Sequence, residues 1–183
     1  MKKKNKNEKK GLSEVKWFIT IFVVAFILSI IFSFISTTAI GGLSIIPAII
    51  VLLLVIFVGI IFDIVGVAVT VGKESDFNAM ASKKIPGAKT SLKLIKNSAK
   101  VSNICADVIG DVAGVLSGSI SALIAMKITS TLNMSFDIQF IISAIVASLT
   151  IGGKAIGKGI AQKNTTKIVG FVGKILKVFS KEN

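Results

Sequence analysis

Four long apolar runs, separated by polar stretches, leave this chain few folds to choose from. Runs of about 20 uncharged residues have the length a helix needs to cross hydrocarbon. In that medium every backbone polar group must be satisfied within the segment, so the runs are predicted to be helices. Their expected positions are about 17–38, 44–71, 101–126 and 136–152. The predicted fold is an all-α membrane protein with four transmembrane helices, a basic amphipathic connector and a C-terminal amphipathic helix. Residues 1–16 form a lysine-rich head, 17–153 the four-helix domain and 154–183 a basic amphipathic tail. The mean hydropathy of +0.83 agrees with the membrane class.

Local signals refine this plan. The first run is too long and too aromatic for a signal peptide, and no Ala-x-Ala-like site follows it, so it is expected to be retained. Trp17 stands at its start as an interfacial anchor, and the head from Met1 to Lys10 is expected to be disordered. Ser44 is the expected N-cap of the second run, with Pro47 in its first turn, where proline is tolerated. Pro86-Gly87 breaks the connector, and residues 88–96 form an amphipathic helix, lying on the membrane or exposed to water. The third run carries Gly110, Gly114 and Gly118, four apart, a groove that another helix can approach closely. A polar turn from Thr129 to Ser135, with Asp137 at its edge, precedes the fourth run, which is expected to stop at Gly152-Gly153.

Lysine placement sets the orientation. Head, connector and tail hold seven lysines each, and the two remaining loops share only Lys127. Head, connector and tail are therefore expected in the cytoplasm. The basic set is all lysine, with no arginine, which points to an AT-rich bacterial genome and hence a bacterial inner membrane.

Several classes of function drop out. The chain has no histidine and a single cysteine, Cys105, so zinc sites and catalytic triads of the usual kind cannot be built. Cys105 reads as a small apolar helix residue. No phosphate-cradling glycine loop or nucleophile motif is present, and no enzyme is expected. The net charge of +13 does not indicate nucleic-acid binding, because the lysines flank apolar spans and no base-stacking aromatics lie among them.

Three aspartates interrupt the apolar runs: Asp63, Asp107 and Asp111. A carboxylate in hydrocarbon costs roughly 2.5–3.5 kcal/mol on insertion scales, so such residues usually face a bundle interior or wet cavity. At the helical rise all three fall roughly 9–15 Å from the lysine-rich side. Like charges at one level repel unless protonated or paired with a cation, and no lysine is expected within the spans to pair with them. A divalent ion such as Mg²⁺ takes oxygen ligands and keeps part of its water; Asn103 and Ser117 are candidate accessory ligands. The competing reading is a set of protonated carboxyls donating hydrogen bonds between helices.

Residues from about Pro47 to Lys177 resemble the transmembrane domain of the CorB/CorC, or cyclin M, magnesium transporters. The first matching stretch is IIFDIVGVAVTVGKESDFNAMASKKIPGAKTSLKLIKN, where that family has Phe-Ser-Gly-x-Glu-Thr-Ala and a basic connector. The second is Val108-Ile109-Gly110-Asp111, beside the family's Ile-Gly-Asn. The third is Ile151 to Asn164, beside Gly-Glu-x-x-Pro-Lys-x-x-Ala. Asp63 stands where the family has serine, Gly66 and Lys154 where it has glutamates, Asp111 where it has asparagine, and Gly157 where it has proline. The resemblance implies a homodimer in the lipid bilayer and a cytoplasm-facing cavity for Mg²⁺, Co²⁺ or another divalent cation. The family's nucleotide-sensing CBS domains are expected to be missing, since the sequence ends at Asn183. Two readings of another kind stay open: a non-transporting scaffold or regulator, and a small pore-forming or immunity-type membrane protein.

Overall fold

The computed structural model describes residues 2–133 and 138–179. The polar turn expected before the fourth span lies partly outside them, and Asp137 falls there. All regular structure among the described residues is helical. The elements are α1 (Lys2–Ile35), α2 (Ile45–Val71), α3 (Glu74–Ser82), α4 (Ala88–Lys96), α5 (Ser98–Ser102), α6 (Asp111–Thr131), α7 (Gln139–Lys163) and α8 (Thr165–Phe179). Two stretches are wound more widely, as π-helix: Ser36–Ile40 and Asn103–Gly110. Among the described residues, four segments are long and apolar enough to cross a membrane: Val15–Thr38, Ile45–Val71, Ser98–Thr131 and Gln139–Lys163. The protein is an all-α membrane protein.

Two sequence expectations need correction. Lys2–Lys10 continues the helix of the first span, because lysine, glutamate and asparagine extend a helix already nucleated downstream. The fourth span does not end at Gly152-Gly153 but runs on to Lys163. Gly153 sits inside α7 because it packs against α2, whereas a Cβ on the exposed Gly152 would meet nothing within 4 Å. A Cβ added to Gly153 would collide with the Ile60 side chain, and one on Gly157 would stand 2.8 Å from Ile64 Cγ1. Close helix approach repays the intrinsic cost of glycine in a helix.

α2 is the central strut. Its buried residues Ala48, Leu52, Ile56, Gly59, Asp63 and Gly66 recur at intervals of three and four, one continuous stripe. Two apolar clusters form around it. One joins Ile40, Ala48, Leu52 and Ile56 to Ile120, Ile124 and Val146. The other joins Ala68 and Val69 to Phe77, Ile95, Ala161 and Val169. Gly59, Asp63 and Gly66 occupy the level between them. α1 is peripheral, with no buried residue in the most apolar stretch of its span.

Near the first cluster, the turn between α1 and α2 is held by an ammonium. Lys127 Nζ donates to the carbonyls of Ile40 (3.0 Å) and Gly41 (2.9 Å), and also to that of Leu43. The carbonyls at the end of a helix lack intrahelical donors, and here a lysine supplies them. Lys127→Met should lower stability by about 2–3 kcal/mol, since hydrogen bonds to charged groups contribute about 1.5–3 kcal/mol. Thermal melting in detergent checks this; an unchanged midpoint would mean that water replaces the ammonium at no loss.

At the other end, the connector and tail fold together. Ser91 Oγ donates to Val169 O at 3.0 Å in a buried contact between α4 and α8. Gly87 takes φ +84°, and a Cβ there would stand 2.6 Å from Lys174 N. The connector helix therefore packs one face on α8. Trp17 lies at this end too, with Lys100 Nζ 6.0 Å from its ring.

Candidate functional site

The layer between the clusters is built from small residues. A Cβ on Gly59 would come 2.9 Å from Ala113 Cβ, and one on Gly66 would come 3.1 Å from Ala106 Cβ. These glycines bring α2 against the Asn103–Gly110 π-segment and the start of α6. Asp63 lies between them on the same helical face, and so faces the π-segment. It is only 6% exposed, and its buried Oδ2 has no hydrogen-bond partner among the described residues. A buried polar atom without a partner costs free energy, and π-turns inside α-helices occur frequently at functional sites.

The other two aspartates point elsewhere. Asp107 and Asp111 are exposed on the protomer surface. Asp107 lies within the π-segment and Asp111 opens α6. Among the described residues no group of three His, Cys, Asp or Glu side chains comes together as a metal site. The expected three-carboxylate cluster is thus not assembled within one protomer.

Lys154 was not anticipated as a partner. Its Nζ donates to Gly110 O and to Asp111 Oδ1, both at 3.3 Å. The expectation that no lysine within the spans pairs with an aspartate is corrected by this contact. The sequence signal was present: Gly153, Gly157 and Ala161 recur every four residues, a packing stripe that continues the helix past Lys154.

The remaining candidates are distributed. Asn103 opens the π-segment and is half-buried. Ser117 is buried, but its hydroxyl donates to Gly114 O at 2.8 Å within its own helix. Gly110 packs near Lys154 Nζ, Cys105 O and Gly59 O. Gly114 and Gly118 have nothing within 4 Å of an added Cβ. With Ser117 and Ser121 they line an open groove between α6 and α7. The groove expected to receive a helix is therefore empty within the protomer, and Gly59, Gly66, Gly153 and Gly157 carry the close packing instead. No family model, curated protein or solved structure matches the chain.

Proposed function

We propose that this chain is a divalent-cation transporter-like membrane protein of the Mg²⁺/Co²⁺ type, with Asp63 as the cation-binding carboxylate. The observation that supports this best is the buried Asp63 Oδ2, without a partner among the described residues, facing a π-helical segment between two apolar clusters. Hard cations accept one carboxylate together with main-chain carbonyls and retained water. The substrate ion would be captured partly hydrated at Asp63. A shift of α2 against the π-segment would then open the layer to the other side. Asp107 and Asp111 face outward in the protomer and would act at the entrance. The resemblance to the CorB/CorC transmembrane domain agrees with this reading, and with a homodimer in a bacterial inner membrane with both termini in the cytoplasm.

A non-transporting scaffold or regulator is the second reading. The Lys154–Asp111 contact favours it, because a tethered ammonium there takes the charge that a mobile cation would otherwise neutralise.

Thermal melting of the purified protein with Mg²⁺, Mn²⁺ or Co²⁺ separates the two. A ligand at 100 times its dissociation constant stabilises the state it binds by about 2.7 kcal/mol. Wild type should gain stability with rising ion concentration, Asp63→Asn should not, and Glu8→Gln should behave as wild type. If no ion shifts the wild-type midpoint, or if Asp63→Asn shifts equally, the scaffold reading leads.

A further inference from the structure

A second polar recess lies where the spans end. Val71 closes α2, Lys163 closes α7 and Thr165 opens α8, and these residues meet around a cleft of about 420 Å³. Lys73, Lys163 and Lys167 line it, with Gln162, Asn164, Thr166 and Asp76. Lys73, Lys163 and Lys167 are exposed, and none makes an ion pair among the described residues. The described ion pairs lie elsewhere, between Lys96 and Glu74 and between Lys154 and Asp111. Asp76 is the one acid on the wall, so three ammonium groups leave the cleft with a positive excess. Such a recess fits an anion.

Its depth identifies the source of that anion. The cleft sits at the ends of two membrane spans, where hydrocarbon gives way to headgroups. α8 starts there and exposes Phe171, Ile175 and Val178, an apolar stripe at helical spacing. Lys167 and Lys174 flank that stripe. A helix with this division lies in the interface plane, its apolar edge among acyl chains. Its opposite side, through Val169 and Gly173, is already packed on α4. An apolar edge beside a basic recess matches a phospholipid, with acyl chains along one and phosphate in the other. We propose that this cleft binds the phosphate of an anionic phospholipid headgroup, with Lys73, Lys163 and Lys167 as its counter-charges.

The test uses the purified full chain in neutral detergent, titrated with phosphatidylglycerol or phosphatidylcholine. Retained lipid is read by native mass spectrometry and stability by thermal melting. Phosphatidylglycerol should be retained and stabilising, and phosphatidylcholine should not. Basic residues near an anionic surface contribute roughly five-fold each, so Lys163→Ala with Lys167→Ala should weaken phosphatidylglycerol binding about twenty-five-fold. The same sites changed to Arg should bind as wild type. Lys84→Ala with Lys89→Ala removes equal charge from a different recess and should stay within about two-fold of wild type. Equal losses in the two alanine pairs would show diffuse attraction and overturn the proposal. So would equal binding of both lipids. Displacement of the lipid by millimolar inorganic phosphate would reassign the cleft to a soluble anion.

Discussion

In buffer free of divalent ions, Asp63→Val should melt above wild type. The carboxylate is buried between Gly59 and Gly66 with an oxygen that no donor reaches among the described residues. Replacing it with an apolar side chain removes a desolvation cost of roughly 2.5–3.5 kcal/mol and adds modest overpacking, leaving a net gain of about 1–2 kcal/mol. Saturating divalent cation should then narrow or reverse the order, because only wild type gains from the ion. A residue that costs stability and is kept for a task is the usual trade at a working site. A drop in the Asp63→Val midpoint would be the contrary result. It would mean that the carboxyl holds the helices together, as a protonated hydrogen-bond donor does.

The second large effect separates two sets of glycines. Gly59→Leu should prevent normal assembly of α2 with α6. Its Cβ alone would lie 2.9 Å from Ala113 Cβ, an atom with no rotamer to escape into. Overpacking of this kind typically costs 1–3 kcal/mol, and a leucine forced into an interhelical contact belongs at about the upper end. A Cβ on Gly114 would meet nothing within 4 Å, and Gly114→Leu should leave the fold of the chain intact. Size-exclusion chromatography with light scattering extends the comparison to the proposed homodimer. If the Gly114 and Gly118 groove receives a partner helix, Gly114→Leu shifts the protein to monomer while its melting changes little. If Gly59→Leu melts like wild type, the helix interface around Asp63 is looser than described.

The spans were legible in the sequence because hydrocarbon allows little besides helix, so apolar length alone carries the assignment. The limits of α7 were not. Gly152-Gly153 followed by Lys154 looks like a helix stop, and only the isoleucines of α2 opposite explain why the helix continues. The same misplacement hid Lys154 from the acidic residues. Asp63 was legible as a candidate because any carboxylate within an apolar run is anomalous. The outward facing of Asp107 and Asp111 was not, because depth along a helix does not fix its rotation, and Asn103–Gly110 carries no proline to announce its wider winding. Local periodicity cannot report a change of winding that tertiary contacts impose. Gly114 and Gly118 show the converse. Spacing marks a surface suited to close approach, but does not say which helix uses it.

The division of the interior into two apolar clusters has a mechanical consequence. Each cluster grips one half of α2, and between them α2 meets the π-segment and the start of α6 through glycine against alanine, with the buried Asp63 on the same face. Such a strut resembles a beam clamped at both ends and thinned at the middle. Strain applied to either clamp concentrates at the thinned section, where Asp63 is seated. Whatever neutralises that carboxylate therefore acts at the section that links the two halves of the bundle.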